Sequence, residues 1–199
     1  MFKNSARSLS LRTDLIKYFM SFLMSDDERA EMHGLPEGCR MRENAKIYSP
    51  ENLECGEYVW IGENAKLDAS GGLSIGSHTS IGLNVCIWSH TSMLTNVLME
   101  NASGSPLIRR KKTQIGSGCF IGGPSVVYSG VTMGDCTVVL PMSTVTSDTK
   151  GFEIVGGSPA RTIREVTPDY IAKELAQADI DDARRKALMD DFVRRYEAR

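Results

Sequence analysis

The sequence predicts an all-β solenoid, a parallel β-helix with a helical segment at each end. A six-residue repeat runs through the middle of the chain, one insertion interrupts it, and both flanks have helical spacing instead. The 199 residues suit one domain with small appendages, and 18 glycines with 7% aromatic residues suit tight turns around a thin core. We expect an N-terminal helical segment at 1–36, the solenoid at 37–165 and a C-terminal helical segment at 166–199.

The repeat is clearest between residues 115 and 150. The first residue of each hexad there is apolar: Ile115, Ile121, Val127, Met133, Val139 and Val145. A period of six fits neither an α-helix nor a bare alternating strand, but it fits a short strand followed by a turn. Three such sides close a triangular coil of about 18 residues, and stacked coils lie about 4.8 Å apart.

The same period occurs earlier in the chain, with two slips of the frame. Apolar residues six apart are Met41, Ile47, Leu53 and Val59, then Ile61, Leu67 and Leu73, then Ile75, Ile81 and Ile87. Together these hexads predict roughly five coils. An ordinary β-sandwich is the alternative, but it would not keep one frame throughout residues 115–150.

The flanks are predicted to be amphipathic helices. Gly34 and Pro36 end the first, whose apolar side has Leu15, Phe19, Phe22 and Leu23. Thr167 is an N-cap candidate before Pro168, and the candidate docking residues that follow are Ile171, Leu175, Leu188, Phe192 and Val193. We expect both segments to seal a solenoid end or contact another subunit rather than a membrane surface, because acidic residues are mixed through both.

Composition and targeting signals indicate a cytoplasmic protein. A net charge of −2 gives no broad attraction to nucleic acid. The five cysteines form no CxxC pair and no secretory signal is visible, so we interpret them as reduced packing residues. The longest apolar run near the start, 18–24, is too short to span a bilayer.

The insertion is predicted to be a projecting loop at 91–114, and His90 stands immediately before it. Loops on rigid scaffolds commonly carry function. The returning arm contains a basic cluster made of Arg109, Arg110, Lys111 and Lys112. That cluster is either a solvated run or an attraction for an anionic ligand, such as the phosphates of coenzyme A or a nucleotide-linked sugar.

The sequence resembles the hexapeptide-repeat acyltransferases over about residues 40–165. The resemblance rests on the repeats, on GLNVCIWSH at 82–90 and on VGGSPARTIRE at 155–165. It implies a left-handed coil, a homotrimer with sites between subunits, and an enzyme that uses acetyl-CoA as acyl donor. The context of His90 is closest to the sugar O-acetyltransferases, which implies transfer to a hydroxyl of a sugar or glycan.

In the resembling family, a histidine between such a coil and the projecting loop is the catalytic base. Asn84, Val85 and Ile87 reproduce that context before His90. A neutral imidazole can take the proton of the hydroxyl as its oxygen attacks the thioester, which contributes about 10²–10⁴-fold. The attack is direct, so no cysteine is assigned as a nucleophile.

The resemblance also implies the contacts to acetyl-CoA and the acceptor. It carries coenzyme A contacts onto Gly123, Pro141, Thr146, Ser147, Arg161 and Arg164, and an acceptor contact onto Asn64. Ser147 replaces a lysine of the family pattern, which puts one phosphate contact in doubt, and Lys150 is the candidate to replace it. For each of these residues a turn or a solvated side chain is the simpler interpretation.

Three other functions remain open. An N-acetyltransferase acting on a nucleotide-linked amino sugar would keep the fold, the donor and the base. A γ-class carbonic anhydrase shares the solenoid but needs three histidines on zinc, and His90 has no close histidine partner, so no metal site is predicted. A non-enzymatic scaffold would fail to bind acetyl-CoA.

Overall fold

The computed structural model describes residues 5–102 and 104–199. Two N-terminal helices, α1 (Ala6–Met20) and α2 (Asp26–Met32), precede the solenoid. The first two coils are β1 (Arg40–Met41), β2 (Lys46–Tyr48) and β3 (Leu53–Cys55), then β4 (Trp60–Ile61), β5 (Lys66–Asp68) and β6 (Leu73–Ile75). The parallel β-solenoid with terminal helices that the sequence predicts is confirmed.

The third coil contains the insertion. It begins with β7 (Ser80–Ile81) and β8 (Cys86–Ile87), leaves the solenoid through β9 (His90–Thr91), α3 (Met93–Val97) and β10 (Arg109–Arg110), and closes with β11 (Thr113–Ile115). The fourth coil is β12 (Phe120–Ile121), β13 (Val126–Val127) and β14 (Thr132–Met133). The fifth is β15 (Val138–Val139) and β16 (Thr144–Val145), and β17 (Glu153–Gly157) begins a sixth before β18 (Ala160–Glu165) folds back antiparallel.

The strands stack into three parallel sheets, which we call faces A, B and C in the order in which each coil visits them. Face A is β1-β4-β7-β12-β15-β17, with β18 at its edge; face B is β2-β5-β8-β13-β16; and face C is β3-β6-β11-β14. One apolar side chain per strand points inward and is fully buried on most coils, as at Ile61, Leu67 and Ile121. Each such burial contributes about 1.5–3 kcal/mol to folding.

The corner between faces B and C, the B–C corner, is wider in the early coils than predicted. Arg40 aligns with Trp60 and Trp60 with Ser80, so these coils have 20 residues, whereas the fourth, from Phe120 to Val138, has 18. The frame slips at this corner. The sequence frame places the first slip immediately before Ile61 instead, and that position is wrong. Leu73, which lies next to the true slip, is buried and follows Leu67 by six residues. An apolar residue there therefore does not reveal that the frame has already changed.

The corner between faces A and B, the A–B corner, is built from asparagines. Asn44, Asn64 and Asn84 occupy it on three successive coils, each with a φ of 59°. Asparagine adopts this left-handed conformation more readily than most residues, because its short side chain bonds locally. These three residues are therefore explained as turn formers.

The first coil is covered by α2 rather than by α1. Ser25 and Glu28 form a capping box at its start, and Arg29 is only 4% exposed. The Arg29 guanidinium donates to the main-chain oxygens of Ser21, Met24 and Met41, which satisfies the buried charge. In α1 and the turn after it, Leu15 and Leu23 stay exposed, so the predicted contact of this segment with another subunit remains a prediction.

The other end is covered by α4 (Pro168–Leu175) and α5 (Asp182–Glu197). Thr167 caps α4 by accepting from the Tyr170 N–H, as predicted. Phe192 of α5 packs with Phe152 and Val166 in a second small core. Within residues 5–102 and 104–199, no helix combines the length and apolar character that a membrane span requires.

Candidate active site

The insertion is anchored at the B–C corner of the third coil. His90 in β9 lies opposite Arg110 in β10, an antiparallel pair that starts the loop. The Lys111 N–H donates to the Ser89 oxygen at 2.8 Å, and the Thr113 hydroxyl donates to the Trp88 oxygen at 2.6 Å. The arms of the loop are thus fixed to the solenoid where His90 leaves it.

His90 contacts a buried carboxylate from the coil below. Its Nδ1 atom is 2.6 Å from Asp68 Oδ2, and the Asp68 side chain is 3% exposed while that of His90 is 35% exposed. Leu67 aligns with Ile87, so Asp68 reaches the start of the loop from one coil earlier. The Trp88 ring stands edge-on to the imidazole, with 6.3 Å between ring centroids.

Asp68 is held as an anion. Burial alone would raise its pKa, but hydrogen bonds from Ser89, Ser70 and His90 outweigh that effect and lower the pKa of Asp68 to about 2. The Ser89 N–H donates to Asp68 at 2.9 Å and the Ser70 N–H at 3.0 Å. The carboxylate is therefore ionised at neutral pH and takes part in a charge-assisted hydrogen bond with the imidazole.

This contact selects one form of the imidazole. An ionised carboxylate accepts a hydrogen, so neutral His90 carries its proton on Nδ1. The Ser70 hydroxyl also contacts Nδ1, at 3.0 Å. Among the described residues both contacts are made by Nδ1, which leaves the lone pair of Nε2 for a substrate proton.

Sequence reasoning missed Asp68. A charged residue directly after the inward-facing Leu67 was the available signal, since that position leads into a corner. Placing Ser89 and His90 beside Asp68 requires knowing that this coil has 20 residues, whereas the repeat suggests a coil of about 18 residues.

The predicted coenzyme A residues lie at two different corners of the chain. Gly123 and Pro141 are at the A–B corner of the fourth and fifth coils, and a Cβ on Gly123 would overlap the Leu83 carbonyl. Thr146 and Ser147 follow β16 at the B–C corner, the corner of His90, and both are exposed. Close packing thus explains why position 123 is glycine, and a single chain does not bring the two groups together.

The predicted arginines lie at the C-terminal end of the solenoid. Arg161 and Ser147 line one cavity of about 100 Å³ there. Arg164 aligns with Ile154, and its guanidinium lies over the Tyr170 ring at 5.6 Å from the centroid. Both arginines are exposed, so either could meet a phosphate.

Asn64 lies at the A–B corner, whereas His90 lies at the B–C corner. The Asn64 amide donates to Glu63 at 3.3 Å. Asn84, which occupies the same corner as Asn64 one coil on, precedes His90 by six residues, so face B separates that corner from the imidazole. Its predicted contact with the acceptor stays a prediction.

The basic cluster is divided by its contacts. Lys112 Nζ is 2.8 Å from a carboxylate oxygen of Glu54, whereas Arg109 and Arg110 are exposed beside His90. The Lys111 stem lies against Gly130. Of the four residues, Arg109 and Arg110 are therefore the ones on the strand paired with that of His90, where they can attract an anion.

Burial makes three of the five cysteines poor nucleophiles. All five are free, and burial raises the pKa of Cys119 and of Cys55 to about 12. Burial also raises the pKa of Cys136. Across residues 5–102 and 104–199, no three His, Cys, Asp or Glu side chains are grouped as metal ligands would be.

The chain shares sequence with a bacterial acetyltransferase. It is 32% identical over 127 residues to the putative colanic acid biosynthesis acetyltransferase WcaF of Escherichia coli (strain K12), which covers 63% of this chain and 65% of that protein. The match thus spans slightly less than two thirds of this relative's length. No protein-family profile matches the chain.

Solved structures share the fold. The hexapeptide-repeat acetyltransferase VCA0836 of Vibrio cholerae, complexed with acetyl coenzyme A, has a TM-score of 0.63 at 24% identity, covering 84% of this chain and 93% of that one. A mutant of AntD, an N-acyltransferase of Bacillus cereus in complex with dTDP and coenzyme A, has a TM-score of 0.61 at 16% identity, covering 76% of this chain and 94% of that one. A maltose O-acetyltransferase of Clostridium difficile 630 has a TM-score of 0.59 at 20% identity, covering 80% of this chain and 89% of that one.

The stacked coils, with a histidine where a loop leaves the third coil, define a parallel β-solenoid built from hexapeptide repeats. In its repeat, its fold and its sequence the chain is similar to hexapeptide-repeat acetyltransferases.

Proposed function

We propose that the chain is an acetyl-CoA-dependent O-acetyltransferase that acts on a hydroxyl of a sugar or glycan, with His90 as general base. The observation that carries the proposal is the 2.6 Å contact between His90 Nδ1 and Asp68. It orients an imidazole at the root of a projecting loop and leaves Nε2 to accept a proton. Relatives that transfer acetyl groups support the donor.

The reaction needs one base that returns its proton. The acceptor hydroxyl gives its proton to His90 Nε2 while its oxygen bonds to the thioester carbonyl carbon. The tetrahedral intermediate then collapses, the carbon–sulfur bond breaks, and the imidazolium protonates the departing thiolate. Asp68 stabilises the imidazolium between these steps, so it is a positioning residue rather than a group that touches substrate.

The position of the donor follows from the shared corner. Ser147 leaves the B–C corner two coils after His90, about 10 Å along the solenoid axis. Acetyl-CoA lying along this corner would approach the imidazole from the C-terminal coils. Gly123 and Pro141 could join such a site only from another chain's A–B corner, which supports a homotrimer with sites between subunits.

A second candidate is N-acetylation of a nucleotide-linked amino sugar. The observation in its favour is the pair of exposed arginines, Arg109 and Arg110, next to His90. They could attract a diphosphate, and AntD shows that this fold also serves an N-acyltransferase. The base and the donor would be unchanged.

One experiment separates these functions. Purified protein is incubated with acetyl-CoA and either plain glycans or nucleotide-linked amino sugars, and release of free thiol is followed. Turnover on glycans is expected, together with an ester that mild alkali removes. Turnover confined to amino-sugar nucleotides, with an alkali-stable amide product, would replace the first proposal with the second, and no turnover on either would reject both.

A further inference from the structure

A cavity of about 420 Å³ opens at the B–C corner of the first two coils, where face C begins. Its volume falls in the range of about 300–1,000 Å³ typical of small-ligand sites. Its polar walls are formed by Glu51, Asn52, Glu54, Lys112 and the two glycines Gly71 and Gly72. We call it the corner pocket.

The corner pocket lies beside Gly72, whose missing side chain makes room for a neighbour. Leu53, Leu73 and Thr113 align on successive coils, so the residues before them, Asn52, Gly72 and Lys112, also lie one above another. Gly72 leaves a gap in that column that the Lys112 stem enters, since a Cβ on Gly72 would lie 3.2 Å from Lys112 Cγ, and its φ of +92° disfavours any other residue.

An ion pair spans this gap from the third coil to the first. Lys112 Nζ lies 2.9 and 2.8 Å from the two carboxylate oxygens of Glu54. Both side chains are substantially exposed, at 41% and 72%, so the pair contributes little to stability. Its effect is to hold a carboxylate and an ammonium group across the mouth of the pocket.

The pocket adjoins the proposed base. The Ser70 hydroxyl contacts His90, and the next residue, Gly71, forms the pocket wall and donates to the Ser89 hydroxyl at 2.8 Å. The pocket belongs to the coils before His90, whereas Ser147 belongs to the coils after it. Two ligands lying along this corner would therefore meet at the imidazole from opposite sides.

We infer that the corner pocket binds an uncharged sugar unit of the acceptor, an inference that rests on the proposed function. Carboxylates, an amide and an ammonium group together accept from and donate to ring hydroxyls. With Glu54 paired to Lys112, Glu51 leaves the lining one negative charge in excess. That excess disfavours sugars that carry a carboxylate or phosphate.

The test measures binding of defined sugars to the full-length protein. Saturation-transfer NMR with the methyl glycosides of glucose, galactose and fucose, and with methyl glucuronide as anionic probe, gives a dissociation constant for each. At least one neutral glycoside should bind, and more tightly than the glucuronide. Glu51→Gln and Asn52→Ala should each weaken it by about tenfold, and Glu57→Gln, an exposed glutamate outside the pocket, should not.

A gain of binding provides a sharper signature. Glu54→Gln removes one carboxylate and releases Lys112, so methyl glucuronide should bind more tightly to this variant than to the wild type. An unfolded or damaged protein cannot produce that gain. No binding of any neutral glycoside, or equal binding by Glu51→Gln and Glu57→Gln, would overturn the inference.

Failure of the pocket and failure of the proposed function give different results. His90→Ala should still bind the glycoside, because the imidazole does not line the pocket. Glycoside binding without any acetyl transfer by the wild type would reject the enzyme and keep the pocket. Transfer whose Michaelis constant for the glycan is unchanged in Glu51→Gln would keep the enzyme and reject the pocket.

Discussion

Nδ1 of His90 lies 2.6 Å from Oδ2 of Asp68, a residue 22 positions earlier in the sequence. The two meet because Asp68 ends a strand of face B directly below the point where the chain leaves the third coil. A base built in this way depends on two coils at once. Changes to either residue should therefore affect turnover while leaving the solenoid intact.

His90→Ala should lower turnover by about 10²–10⁴-fold, because the hydroxyl proton loses its acceptor. The unfolding midpoint and the dissociation constant for acetyl-CoA should change little, since the side chain is at a corner and the donor is placed on later coils. Thiol release and calorimetry measure these effects. His78→Asn is the matched control, because asparagine tolerates the φ of 59° at that remote corner. Near-normal turnover by His90→Ala would remove His90 from the mechanism.

Asp68→Asn should lower turnover by about 10²-fold, because a neutral amide cannot stabilise the imidazolium. The Michaelis constants should stay close to wild type, and Asp68→Glu should recover part of the loss. The ¹⁵N chemical shifts of His90 should show the proton on Nδ1 in the wild type and a different tautomer mixture in Asp68→Asn. An unchanged tautomer with unchanged turnover would show that Asp68 is structural.

Stability should depend on pH through Asp68. Its pKa is about 2 in the fold, below the ordinary value of about 3.9, so the folded state is favoured once the carboxylate is ionised. The contribution, about 1–2 kcal/mol after a discount for solvent screening, comes mainly from the hydrogen bonds of Ser89 and Ser70, and it is fully present above pH 4 and lost as the pH falls toward 2. Urea unfolding of wild type and Asp68→Asn should give curves that converge over this range. A constant gap down to pH 2 would contradict the assignment.

Neutralising Arg109 and Arg110 together, each to glutamine, should raise the Michaelis constant for an anionic substrate several-fold. Added salt should weaken the same binding in the wild type, because exposed charges are screened. Arg184→Gln is the control, since that exposed arginine lies on α5, away from the loop and the corner pocket. If the double variant leaves the Michaelis constants for both substrates unchanged, these arginines are solvated side chains that bind no substrate.

The assembly should be a homotrimer of the 21.9 kDa chain. Light scattering with a calibrated column measures the mass directly. Gly123 and Ser147 lie at different corners, so a coenzyme A site that uses both requires a neighbouring chain. A stable monomer with full turnover would reject the shared site.

The sequence alone determined the architecture, because its cause is local. An apolar residue every six positions makes a strand and a turn wherever it occurs, and Thr167 before Pro168 starts a helix without distant partners. The candidacy of His90 also came from its neighbours in the chain. Each of these features depends on residues that are close together in the sequence.

Only the tertiary structure decided which corners of the solenoid come together. The partnership of Asp68 with His90 and the gap at Gly72 depend on the length of the coils, which two extra residues at the B–C corner increase to 20. The separation of Gly123 from Ser147 depends on which face each follows. Stacking brings together residues a whole coil apart, and a six-residue period does not reveal where the chain inserts residues at a corner.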